Sequence, residues 1–528
     1  MRSTRLLFAA CLAATLAACG GGGGSSGSGE PPPSLPPAGL FPTPDPADRV
    51  STTAAFAPGC DGVPASGTLY PETEVEPQVA TDPTNPLRMV GAWQQNRWSN
   101  GGAQGVLAAV STDGGGTWTR STPAFSRCIG GTVANGGDYE RATDPWVAFA
   151  ADGTAYAMAL SLSGSGSTQV TAMLVAHSTD GGRIWSAPAT LIRDSGASFF
   201  NDKNTLTADR SDARFVYAVW DRLGPGPTGP ALFARTTNGG ATWEPARTIY
   251  DPGSNAQTIG NLIVVASNGT LVNVFTRIVG GRSEVMAIRS TDRGTNWSAP
   301  IKLADLLAVG TRDPEVPSRT VRDGAILAQA APGPNNAIYI VWQDARGSDG
   351  RIDAILLAKS TDAGLTWSEP VRINGDPTVA AFTPQVAVRD DGLVAVSHYD
   401  LRSNTADTAT LPADYWLLRS TDGGATWSET RLAGPFDLAL APDAGGIFLG
   451  DYQGLTASPN GVLAFFAQTT RDGAANRTDV FRRNVAGAIP AARFAAVPQA
   501  VTTPSAQFAA RVGASVERNL RILRESPR

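Results

Sequence analysis

Histidine is nearly absent from this 528-residue chain: His177 and His398 are the only two. That leaves no room for a histidine zinc cage and little for a serine–histidine–aspartate triad. Cysteine is scarce as well, with four in all. Cys11 and Cys19 lie close to the N-terminus, so the remaining pair cannot build a disulfide-dense scaffold. Charged residues make up only 17%, and the formal net charge is −5. A chain with no basic excess lacks the electrostatic footprint of a nucleic-acid binder. Beyond the N-terminal segment no apolar run approaches the ~18 residues of a membrane-spanning helix. The sequence carries no cofactor or metal motif, and none is expected. What it has in quantity is glycine, 58 residues, and proline, 38, with hydrophobics at 42%. Such a composition reads as many short strands joined by turns, not as a helical bundle.

The first segment reads as a targeting signal. Arg2 and Arg5 precede an apolar run from Leu6 to Ala18, too short to span a bilayer as a helix. It closes on Leu16-Ala17-Ala18-Cys19, which resembles a bacterial lipobox. Residues 1–18 are then the expected signal peptide, and the Cys19 thiol the expected site of diacylglycerol attachment. Gly20, not aspartate, follows Cys19; in a host with two membranes that resembles outer-membrane sorting. The lipid would be the only anchor, with the body in the cell envelope. Residues 19–49 run through a Gly20–Gly24 tract and the Pro31–Pro37 stretch. They cannot bury a core and read as a tether, flexible first and stiffer after.

The body is built from one repeat. The octet Ser111–Trp118 returns as Ser178–Trp185, Thr236–Trp243, Ser290–Trp297, Ser360–Trp367 and Ser420–Trp427, with starts 54 to 70 residues apart. The pattern is S/T-T-D-x-G-x-x-W, with Asn238 once in place of the aspartate. Aspartate accepts backbone N–H groups of its own turn, and glycine two places on permits a positive φ. Tryptophan packs its indole beneath the following strand. An apolar run such as Val106–Val110 precedes each copy, so each octet closes one hairpin. This resembles the Asp-box of sialidases and related BNR-repeat propellers, where the motif is structural.

Inner-strand phrases stand upstream of the octets: Glu76–Ala80, Asp144–Ala148, Asp202–Leu206, Asn261–Val265, Ala325–Gln329, Thr383–Ala387 and Asp451–Leu455. Seven inner strands against six octets predict an all-β, seven-bladed β-propeller over residues 50–490, with six Asp-box hairpins. Six blades, as in typical sialidases, is the alternative. The last blade lacks an octet, and a strand near Ser51–Phe56 or Thr68–Val75 is expected to complete it. Residues 491–528 form a C-terminal tail that fits a short amphipathic helix or a frayed end. Cys60 and Cys128 are expected to pair in an exported protein.

The octets join third and fourth strands, so the other rim collects the starts of inner strands. There the acids Glu76, Asp144, Asp202 and Asp451 converge with Glu140, Arg97, Arg141, Arg277 and Arg471. It also gathers Trp220-Asp221-Arg222, Trp342 to Arg346 and Tyr399 to Arg402. Recurrence in several blades favours ion pairs tying repeats together over one shared site.

The sialidase resemblance implies three arginines on a substrate carboxylate, a tyrosine nucleophile with a glutamate partner, and an aspartate acid/base. Asp451-Tyr452-Gln453-Gly454-Leu455 resembles the nucleophile strand and puts Tyr452 at the tyrosine. Val274-Phe275-Thr276-Arg277 resembles a strand supplying one arginine, Arg277. Elsewhere the chain departs from the pattern. The first arginine position reads Val75-Glu76-Pro77, no carboxylate stands in Trp98–Gly101, and the glutamate position falls near Asn261. The expected function is glycan binding or hydrolysis at the mouth, with Tyr452 and Arg277 as catalytic candidates and Glu76, Asp144, Asp202, Arg141, Arg402 and Asp451 around them. The alternatives are a non-catalytic scaffold for envelope proteins and a glycoside hydrolase using a carboxylate pair. The expected partners are a glycan or an envelope protein, never nucleic acid, for a monomeric body.

Overall fold

Each repeat period folds into an antiparallel meander. The first runs through Leu69–Thr81, Met89–Trp98, Ala103–Ser111 and Thr119–Ser121, and the second through Arg141–Phe149, Ala155–Ser163, Val170–Ser178 and Ala189–Ser195. Four more four-stranded meanders begin at Phe200–Ala208, Ala256–Val265, Gln329–Pro332 and Ala381–Val388. A seventh group holds Gly454–Ser458, Gly461–Thr469 and Thr478–Ala486. Its outer position is filled from the other end of the chain: Arg49 bridges Phe481, and the Val50 N–H donates to the Val480 carbonyl at 2.8 Å. The fold is all-β, with one α-helix among the described residues, Ala506–Glu525.

This computed structural model describes residues 41, 45, 48–52, 56–62, 67–226, 228–471, 477–487, 489–499 and 503–525. The proposed signal peptide, Cys19 and most of the tether lie outside the described residues. So does Met1–Leu35, the first of two compact units; everything below concerns the second, Pro36–Arg528. No helix among the described residues is long and apolar enough to cross a membrane.

The first strands of successive meanders contact one another in order, and the last, Gly454–Ser458, contacts Leu69–Thr81. The apolar cores lie between neighbouring sheets. Val90, Trp93, Leu107 and Ala157 pack with Leu463 and Phe465, so the last sheet shares a core with the first. Trp146, Leu160, Leu206 and Trp220 form the next, and Val274, Ile340 and Leu356 another. Alternating inward side chains on both sheets exclude water from each interface.

The octets behave as their chemistry requires. In the first copy the Gly116 and Thr117 N–H groups both donate to Asp113 Oδ1 at 2.9 Å, and the Gly115 N–H donates to Ser111 Oγ. Gly115 has φ 88°, a conformation that disfavours any side chain. The Trp118 indole donates to the Gly115 carbonyl at 3.2 Å. Burial of the octet tryptophans is uneven: five are half-buried, Trp367 among them, and only Trp427 is fully buried.

Other boundaries also shift. Ala325–Ala328 forms a turn, and that inner strand begins at Gln329. Thr68–Val75 lies in the strand that opens the first sheet, and it also borders the last one, through a parallel bridge between Thr73 and Thr478. Cys60 and Cys128 form the disulfide. The tail adds two short strands, Phe494–Ala495 on Thr426–Trp427 and Val497–Pro498 on Val371–Arg372, then the 20-residue helix.

Candidate functional site

The inner strands share a local distortion. Their registers break at Val75/Gln78, Thr143/Trp146, Ile259/Leu262 and Phe382/Gln385, the mark of a β-bulge. Within these breaks, or at the same position of the third repeat, Glu76, Asp144, Lys203 and Thr383 hold φ of 54°, 52°, 45° and 49°. Left-handed backbone costs a side-chain-bearing residue about 1–2 kcal/mol. Three of these four residues deliver a charged side chain to one buried cluster.

Four acids, Glu76, Asp144, Asp202 and Asp451, and three cations, Arg97, Lys203 and Arg322, line one cavity. The Lys203 ammonium lies 3.4 Å from Asp144 Oδ1 and 3.5 Å from the centre of the Tyr452 ring. Arg322 reaches Asp451 with two arms, at 2.6 and 3.1 Å. Glu76 accepts from the Gln94 side chain, whose Oε1 accepts from Arg97 at 2.7 Å. The Asp451 N–H donates to Glu76 at 3.4 Å. The Phe448 ring carries Arg97 at 5.1 Å and Arg322 at 4.4 Å.

Burial splits these acids apart. Glu76 is 1% exposed, and its carboxyl is pushed up to about 7 by desolvation and then by the charge of Asp144, against the pull of Lys203. Asp202 is raised well above the usual carboxylate range, by desolvation first and Asp144 second. Asp451 is desolvated too, but the Arg322 guanidinium overrides that and holds it down to about 2. Desolvation, then Arg322, lowers Arg97 to about 10. One cavity thus holds a carboxylic acid ready to donate near neutral pH and a firmly ionised carboxylate. Widely separated pKa values of this kind mark acid/base assignments.

Tyr452 belongs to the cluster but is not poised as a nucleophile. Its hydroxyl donates to the Pro145 carbonyl at 3.0 Å, and desolvation followed by the charges of Glu76, Asp144 and Asp451 raises it well above its ordinary value. Activation needs the opposite shift. Arg277 is not brought to the cluster: it pairs with Glu284 at 2.5 Å. Arg141 lies over Trp98 and holds Asn100 and the Gly101 carbonyl. Arg402 pairs with Asp400 and Glu429 and covers Trp416.

A family model supplies the decisive comparison: residues 88–306 match the BNR repeat-like domain. That stretch is BNR repeat-like. No curated protein matches it. Among solved structures it is similar to a protein of unknown function from Dyadobacter fermentans, at 14% identity and TM-score 0.43, over 65% of this chain and 94% of that one. It is similar to the intramolecular trans-sialidase of Ruminococcus gnavus, at 13% identity and TM-score 0.39, over 79% and 97%. It is also similar to the α-L-arabinanase of Penicillium chrysogenum, at 14% identity and TM-score 0.40, over 66% and 95%. At such TM-scores these likenesses carry no argument about activity.

Of the cluster, sequence reasoning finds all four acids and misses two of the cations. Lys203 sat unremarked beside Asp202. Arg322 belongs to no repeat phrase: it enters on a two-residue parallel bridge between Val321–Arg322 and Ile447–Phe448. One signal was available. Glu76-Pro77, Asp144-Pro145 and Thr383-Pro384 repeat the same dipeptide pattern at the bulges.

Proposed function

We propose that this protein is a seven-bladed propeller that binds and hydrolyses glycans at its central cluster. Seven meanders and the closed order of their first strands support the blade count. The observation that carries the chemistry is Glu76: a buried carboxyl pushed up to about 7 beside Asp144, itself salt-bridged to Lys203. In this reading Glu76 donates the proton to the leaving glycosidic oxygen, and Asp144 is the second carboxylate. Strained backbone at Glu76, Asp144 and Lys203 supports it, because such strain collects where geometry serves function.

The substrate sugar is neutral rather than sialic acid. Arg322 gives two arms to Asp451, and Glu76 stands where the sialidase resemblance puts the first carboxylate-binding arginine. The test is a panel of aryl glycosides assayed between pH 5 and 9. Turnover of at least one neutral glycoside is expected, falling as pH rises above about 7 because Glu76 then loses its proton. Glu76→Gln is expected to lower kcat by about 10²–10⁴ and flatten that limb. An aryl sialoside cleaved faster than every neutral glycoside, or full activity in Glu76→Gln, would overturn the assignment.

The address is a separate part of the proposal. Lipid on Cys19 anchors the body to the bacterial envelope, at the outer membrane, through the tether of residues 19–49. Cys19→Ala is expected to release an exported, soluble protein. Unchanged partition into membranes in that variant would refute lipidation.

A further inference from the structure

The C-terminal helix has no part in the repeat architecture, yet its end reaches the charged cluster. Phe508, Val512 and Val516 recur every fourth residue and are buried against Ile259, Val309, Ile326 and Leu327. Such spacing puts them on one face. The seat is close: a side chain at Gly350 would collide with Phe508, and one at Gly310 with the Arg518 guanidinium. Arg511 donates to the Gly350 carbonyl at 2.9 Å. Residues 508–518 hold the helix in this seat.

The last turns are placed differently. Leu523 lines the cavity that holds Glu76, Asp144, Asp202 and Lys203, and it also packs on the core containing Trp146 and Tyr452. Asn519, Ile522 and Leu523 face Lys203, Arg322 and Asp451 in the adjoining space. Leu520, Ile522 and Leu523 are only half-buried, unlike the anchor residues. The C-terminal end of a helix carries partial negative charge, which suits it to lie near Lys203 and Arg322. With Leu523 in place the cavity measures ≈ 30 Å³, room for about two waters. Ligand sites run to about 300 Å³ and more. A sugar ring cannot share the site with Leu523.

We propose that the last two turns of the C-terminal helix, residues 519–525, are a lid that closes the central site and swings away while Phe508, Val512 and Val516 hold the rest of the helix in its seat. This rests on the reading of the cluster as the glycan site, and it adds that the site is gated from within the same chain. Opening needs only the fraying of a helix end, which is the least stable part of any helix.

The chain supplies its own probe. It has three lysines, Lys203, Lys302 and Lys359. Lys203 is 4% exposed beneath the lid, whereas the Lys302 side chain is 44% exposed. Amine acetylation of the full-length protein, followed by mass spectrometry, reads both at once. Leu523→Asp puts a carboxylate against four others and is expected to expel the lid, acetylating Lys203 at least tenfold faster with Lys302 unchanged. Leu523→Met should keep Lys203 protected. If Leu523→Asp does not fold, Leu523→Ala is measured in its place, with a smaller acceleration expected. Equal protection of Lys203 in a folded Leu523→Asp or Leu523→Ala protein overturns the lid. The same samples are assayed on the aryl glycoside panel. Faster acetylation with no turnover anywhere leaves the lid standing and removes the hydrolase reading.

Discussion

Arg322→Met is expected to cost about 3–5 kcal/mol of folding stability at neutral pH, because removing one partner of a buried ion pair strands the other. The Arg322 and Asp451 side chains are 10% and 11% exposed. Without the guanidinium, Asp451 faces Glu76, Asp144 and Asp202 with only Lys203 and Arg97 to balance four acids. The sign of the pH dependence then reverses. In the native protein Asp451 sits at about 2, below its unfolded value. Its contribution is therefore present above the ordinary carboxylate range and is lost only as pH falls toward 2. In Arg322→Met burial raises Asp451 above its unfolded value, so its penalty is fully felt at high pH and relieved as pH falls. The stability gap between variant and native protein should narrow from pH 7.5 to 4.5 in denaturant titrations. Arg322→Met combined with Asp451→Asn should recover most of the loss. A gap that is the same at both pH values would show that the pair is not the cause.

Trp427→Ala should be the most damaging octet substitution, at about 3–5 kcal/mol, as for a buried aromatic deletion. Trp427 packs with Leu357, Val396 and Leu418, and the tail strand carrying Phe494 lies over it. Its indole donates to the Gly424 carbonyl at 3.0 Å. The equivalent change at Trp367 removes a half-buried ring and should cost clearly less. Thermal and urea unfolding of the two variants side by side checks the order. Equal losses at the two sites would mean that the tail does not seal Trp427.

Local chemistry was legible wherever it repeats. The hydrogen bonds that form the octet's own turn run between residues no more than four apart, so their spacing along the chain is also their geometry. The inner-strand acids could be read for a related reason, since Glu76 and Asp144 occupy the same place in their repeats and Asp202 and Asp451 stand at or just before the start of theirs. Arg277 misled because one strand phrase specifies a side chain's height along a sheet but not which neighbour captures it; Glu284, directly across the next strand, takes it.

By itself, the sequence determined the repeat, the all-β meanders and the octet hairpins. These follow from short-range patterns. Tertiary structure alone decided three things. The exact residues that close the last sheet are Arg49 to Ser51, 430 residues away and just ahead of the expected Ser51–Phe56 stretch. Arg322 and Lys203 settle which acid keeps its proton, because a pKa depends on burial and on charges brought in by other repeats. The tail helix lies over the cluster, since an amphipathic helix declares that it will bury one face but not against what.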